Sequence, residues 1–174
     1  MSRDSSTTYV RAGNVIALLI AFSLPVAWWL TLTVAGKGVI ADEKDHHVYV
    51  QLLTQGRWPQ DSPISVLPVF HLLAAGATFL PGASLPAVRL FSVAAALVLV
   101  ALSAIVAARN GRACWGWIAL LVIANPLVLP YCSLVYTDIL ALTLLAGTVV
   151  LHARGARWPA MAVLLLAFLV RQTS

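Results

Sequence analysis

Charge is what this sequence has least of. Only 10% of its 174 residues are Asp, Glu, Lys or Arg, while 61% are hydrophobic, and mean hydropathy is +0.92. Soluble globular domains carry about a quarter charged residues, so composition excludes that class. Cysteine is nearly absent. Cys114 and Cys132 lie at or within apolar stretches and form no CxxC, which reads as two small buried residues and not as a disulfide or a metal site. No HExxH motif occurs, and no internal repeat or low-complexity segment. Acids are scarcest of all. Of six, four (Asp42, Glu43, Asp45 and Asp61) fall in one stretch, KGVIADEKDHHVYVQLLTQGRWPQDSPISVLP, from Lys37 to Pro68; the others are Asp4 and Asp138. The net charge of +5 comes from dispersed basic residues beside apolar runs. That pattern controls membrane topology and implies no nucleic-acid partner.

What the sequence does have is long apolar runs. Each membrane-spanning helix needs about 20 residues to cross roughly 30 Å of hydrocarbon. The runs predict an all-α, polytopic transmembrane fold in a single domain, 1–174, with spans near 14–35, 85–108, 113–129, 136–151 and 158–174 and an outer loop near 36–84. The run Val15–Val34 is long for a signal-peptide core, so the first helix is expected to stay uncleaved, with Pro25 as a kink and Trp28 and Trp29 at the far interface. Val66–Leu80 is short and broken by Pro68 and His71, which fits a re-entrant or interfacial helix. If it does not cross, Arg3, Arg11, Arg109, Arg112, Arg154 and Arg157 all face the cytoplasm, as the positive-inside rule asks. The last run is cut short at Arg171, so the chain reads as the N-terminal part of a longer protein.

The acidic stretch is the first candidate for chemistry. From Asp42 to Gln55 the pattern is helical, with Val48, Leu52 and Leu53 on one face and Gly56 as a stop, as in an amphipathic helix on a membrane surface. Asp42 and His46 are four apart, as are Glu43 and His47, so each pair shares a face. A carboxylate beside an imidazole suits a general base; the same acids also suit an exposed helix start, where they complement the dipole. Adjacent His46 and His47 point different ways, so no metal is expected, although a hydrolase metal site of Asp45, His46 and His47 is a rival reading. Tyr136-Thr137-Asp138 opens a span, where an acid is either functional or an N-cap. Arg171-Gln172-Thr173 follows LLLAFLV, and Arg89 enters the second span; each arginine fits a phosphate or a snorkelling role. In this topology the acidic loop, Arg89, Asp138 and Arg171 share the outer side, as a reaction between a phosphate-linked lipid and a hydroxyl acceptor would need. A non-catalytic membrane protein or transporter subunit is the alternative.

In order along the chain these motifs resemble the dolichyl-phosphate-glucose α-1,2-glucosyltransferases, multi-span enzymes of the GT-C class that add the last glucose to a lipid-linked oligosaccharide. The family's Asp-Glu-x-x-His is matched by Asp42, Glu43 and His46, followed by Gln51 and Gly56. Its Asp-Pro-x-Ile-Thr-Thr-x-Pro is matched in part by Asp61, Ile64, Ser65 and Pro68, with Ser62 and Val66 departing. Tyr136, Thr137 and Asp138 match its Tyr-Thr-acid. Arg171, Gln172 and Thr173 match its Arg-Gln-Thr-Asn, with Ser174 in place of Asn. The resemblance implies inverting transfer of a hexose, glucose by family, from a polyprenyl-phosphate sugar donor to a glycan or lipid-linked acceptor, without metal or other cofactor. Catalytic roles would fall to Asp42, Glu43 and His46, with Asp42 as base. Asp138, Tyr136, Gln172, Arg171 and Arg89 would bind substrate, the two arginines at the leaving phosphate. The Ala-, Leu- and Arg-rich character reads as bacterial, with the active loop on the extracytoplasmic side of the inner membrane.

Overall fold

Apolar runs interrupted by glycine and proline become seven helices in a computed structural model, which describes residues 3–40, 43–58, 69–79 and 82–170. They are α1 (Arg3–Val34), α2 (Glu43–Thr54), α3 (Val69–Thr78), α4 (Leu85–Arg109), α5 (Trp115–Ile123), α6 (Thr137–Ala153) and α7 (Arg157–Val170), with a 3-10 turn at Leu129–Ser133 before α6. The expected all-α fold is present, and no strand occurs among the described residues. This is the architecture of a polytopic helical membrane protein.

By length and composition, α1 (from Thr8) and α4 are apolar enough to cross a bilayer; α6 and α7 are shorter apolar helices. Where one span was expected at 113–129, α5 stops after nine residues. The reason is local. Pro126 disfavours helix at Asn125, the Asn125 side chain accepts from the Leu127 N–H at 2.8 Å, and Pro130 starts the 3-10 turn in which Cys132 and Ser133 are buried. The helix α3 has ten residues, about 15 Å at 1.5 Å each. That is less than the roughly 30 Å of hydrocarbon; residues 66–68 and 80 of the segment expected not to cross lie outside the described residues. Helix α2 also forms where expected, and Gly56, with φ 71°, closes it. Its inward face differs from the expected one. Tyr49 and Val50 are buried, whereas Val48 stays exposed.

The bundle has two chemically distinct ends. At the basic end, α4 closes on Arg109 and α6 passes through Arg154 to α7. Here Asn14 of α1 clamps the start of α5, donating to the Ala113 carbonyl and accepting from the Gly116 N–H at 2.9 Å. A β-carbon at position 116 would run into the Asn14 backbone, so only glycine allows this approach, a known use of small residues between membrane helices. Cys132 is buried as expected, but Cys114, at this end, is exposed. At the opposite end the Trp29 indole donates to the Pro86 carbonyl at 3.1 Å and Ser133 donates to the Pro25 carbonyl at 3.2 Å. These bonds tie α1 to the start of α4 and to the 3-10 turn. Val50 and Phe70 pack there with Val88, Val135 and Val170 in one buried cluster, so α2 and α3 sit on the ends of α4, α6 and α7.

Replacing Gly116 with Ala overfills a packed contact, which costs about 1–3 kcal/mol. The expected outcome is a lower unfolding temperature of the full-length protein in detergent, with Asn14→Ala shifting it in the same direction.

Candidate active site

The site begins with a charge that the fold takes out of solvent. Glu43, the first residue of α2, is 0% exposed, and Arg89, in the second turn of α4, is 1% exposed. Arg89 Nε donates to Glu43 Oε1 at 2.9 Å and Nη2 donates to Oε2 at 2.6 Å, the two-pronged geometry that makes arginine–carboxylate pairs strong. The remaining capacity of each group is used nearby. Arg89 Nη1 donates to the Lys37 carbonyl at 3.0 Å and Nη2 to the Gly38 carbonyl at 2.8 Å. The Ile40 N–H donates to Oε2 at 3.1 Å and the Val135 N–H to Oε1 at 3.0 Å. Because the Glu43 N–H also bonds the Ile40 carbonyl at 3.2 Å, the reach back to Ile40 has the form of a capping box. One ion pair therefore joins the 37–40 segment, α2, α4 and the lead-in to α6.

One turn along α2, His46 meets α3. Its Nδ1 lies 2.9 Å from Nε2 of His71, and the two rings stack at 5.1 Å with 11° between planes. His71 is fully buried and also lies 4.4 Å from the Tyr49 ring. Burial holds its pKa down at about 3, with the neighbouring His46 a smaller contribution in the same direction, so His71 is neutral at working pH. The Tyr136 ring is 5.6 Å from His46 and packs edge-on against Tyr131 at 5.3 Å. His47 turns to the other side of α2, where Nε2 is 2.8 Å from the Ala83 carbonyl; the Gln51 amide approaches the same oxygen at 3.5 Å. Among the described residues no three His, Cys, Asp or Glu side chains gather closely enough to hold a metal ion.

Of the residues singled out in the sequence, the fold brings Glu43, His46, Arg89 and Tyr136 together. Asp138 follows in the first turn of α6, where an acid complements the helix dipole. The residue at the N-cap of α6 is Tyr136, and not Thr137 or Asp138. Two of these candidates are each other's partners. Glu43, offered as a catalytic carboxylate, has both oxygens fully bonded inside the protein. Arg89, offered to a lipid phosphate, gives its charge to Glu43. Asp42, Arg171 and Gln172 lie outside the described residues. Sequence reasoning missed His71 as a site residue; its signal was a lone imidazole in an otherwise apolar 66–80 run.

A family model for the DIE2/ALG10 family matches residues 36–174. The chain belongs to the DIE2/ALG10 family. This is a family of dolichyl-phosphate-glucose glucosyltransferases, the one its motifs resemble, and membership implies a membrane glucosyltransferase. The DIE2/ALG10 match opens at Gly36, where α1 ends, and takes in every residue of the site described above. No curated protein and no solved structure matched the chain.

The ion pair sets a stability expectation for this DIE2/ALG10 member. Removing one partner leaves a buried charge alone, at a cost of about 3–5 kcal/mol. Arg89→Met and Glu43→Leu should each sharply lower the amount of folded full-length protein in membranes, and the double variant should recover part of it. A loss in the double variant equal to the sum of the two single losses would show that the pair contributes little beyond packing.

Proposed function

We propose that this protein transfers a hexose, glucose in keeping with its family, from a polyprenyl-phosphate sugar to a hydroxyl of a glycan or lipid-linked acceptor. The reaction takes place on the extracytoplasmic side of a bacterial inner membrane and inverts the anomeric carbon. Asp42 takes the proton of the acceptor hydroxyl while its oxygen attacks the anomeric carbon. The bond from that carbon to the phosphate oxygen breaks, and the lipid phosphate leaves with the electron pair. Arg171 and Gln172 receive the phosphate; Tyr136 and Asp138 contact sugar or acceptor. His46 orients the base.

The observation that carries this reading is the full engagement of Glu43, one of two adjacent acids. The family motif supplies two carboxylates, and Glu43 is fully engaged by Arg89 and two backbone N–H groups. Glu43 therefore holds the loop, which leaves proton abstraction to Asp42. Arg89 serves the same support, so phosphate binding passes to Arg171.

The deciding experiment is sugar transfer in membranes from a polyprenyl-phosphate glucose by the full-length protein. A positioned general base contributes about 10²–10⁴-fold, so Asp42→Asn should lose at least about a hundredfold while the protein inserts at normal levels. Full activity in Asp42→Asn would remove this carboxylate from the mechanism. Sidedness has its own readout. In intact bacterial cells, Cys114 at the basic end should react with a membrane-impermeant maleimide only after permeabilisation, with Cys114→Ser assigning the signal. Labelling before permeabilisation would reverse the proposed orientation.

A further inference from the structure

The His46–His71 contact contains more than a hydrogen bond. His71 is fully buried and uses Nε2 toward His46, yet its Nδ1 has no hydrogen-bond partner among the described residues. A neutral imidazole carries one N–H and one lone pair, so the two rings have two ways to pair. With the His71 proton on Nδ1, a buried N–H is orphaned and Nε2 accepts from His46. With the proton on Nε2, His71 donates to His46 and only a lone pair goes unpaired. Orphaned buried N–H groups are the rarer case in folded proteins, so the second arrangement holds. His46 then presents a lone pair at Nδ1 and carries its own proton on Nε2.

We propose that His71 is a positioning residue for sugar transfer, fixing His46 as the neutral Nε2–H tautomer. The proposal rests on the reading of Asp42 as base. In the sequence Asp42 precedes His46 by four residues, the spacing that puts two side chains on one helix face. A neutral N–H donor there orients a carboxylate without the full positive charge that would make it a weaker base. Protonating His46 would aim an Nδ1–H at the Nε2–H of His71. Relief would require His71 to move its proton to the unpartnered Nδ1, so His71 opposes the imidazolium form of His46. Among the described residues, the other titratable groups around His46 are Tyr136 before α6, with Asp138 two residues on, and Glu43, Lys44, Asp45, His47 and Tyr49 on α2 itself. Glu43 is neutralised by Arg89.

The test compares full-length protein with His71→Gln and His71→Leu in lipid nanodiscs. Glutamine places an amide N–H near the His71 Nε2 position, whereas leucine keeps bulk and removes the donor. Nitrogen-15 NMR of labelled histidines reads the His46 tautomer, with His46→Gln assigning its signal, and transfer is followed against pH. The expected result is an Nε2–H His46 in the wild type and in His71→Gln, with transfer by His71→Gln within a few-fold of wild type. In His71→Leu that tautomer is lost and transfer falls roughly tenfold or more, within the about 10²–10⁴-fold range of a positioned base. The acid limb of its pH profile should also move up toward about 6.5, where an unconstrained histidine titrates. An Nδ1–H His46 in the wild type overturns the proposal, as does a wild-type pH profile in His71→Leu. Tautomer loss in His71→Leu combined with full activity in Asp42→Asn overturns the choice of base and leaves the control of His46 by His71 standing.

Discussion

The Glu43–Arg89 ion pair is the constraint on which the α2 end of this protein depends. Both charges are removed from solvent, and taking charges from water costs several kcal/mol each unless geometry and further hydrogen bonds repay it. Here both conditions hold. The guanidinium grips both carboxylate oxygens and two backbone carbonyls, while two backbone N–H groups complete the carboxylate. Each of those backbone groups belongs to a segment that would otherwise be an independent loop. The pair thus converts the connection after α1, the start of α2 and the lead-in to α6 into one surface. Its cost also makes it selective, because any other arrangement of these segments leaves a charge buried and unmatched.

This arrangement gives α2 its orientation. A helix whose first residue is drawn inward by Arg89 must turn the residues one and two turns later inward as well. His46 accordingly meets His71, and Tyr49 and Val50 enter the core. Without the ion pair, the apolar residues Val48, Leu52 and Leu53 would be the natural inner face. The electrostatic term overrides the hydrophobic pattern at the N-terminal turns, while Leu53 still packs on the Val50–Phe70 cluster further along.

The sequence made much of this legible, and the failures have physical reasons. Class, the long α1 and α4, the short α3 and the boundaries of α2 follow from run lengths and from Gly56, which are local signals. The break of the third span at Pro126 was readable in principle but hidden inside a continuous apolar run. Partner choice was not local at all. Arg89 and Glu43 are 46 residues apart, and nothing in either neighbourhood says that they meet. An arginine entering a span and a loop carboxylate each suggest substrate contact when read alone, and only the fold shows that they pair. His71 was visible as an oddity, but its meaning depends on which face of α2 turns toward it.

The charge balance that results bears on how the site can handle an anionic leaving group. Glu43 and Arg89 cancel, and His71 is held neutral by burial. The floor of the site is therefore polar but carries no net charge of its own. A free arginine in the floor would itself attract a leaving phosphate as charge develops on it. A neutral floor leaves that interaction to residues nearer the donor. Arg171, in the family's Arg-Gln-Thr motif, directly follows Val170, which packs in the same buried cluster as Val50 and Phe70. In the sequence, the cation proposed for the phosphate comes directly after α7 and the proposed base directly before α2. Helix α3 packs against both α2 and α7 through the apolar cluster, so that cluster holds together the two elements that the proposed base and cation adjoin in the sequence.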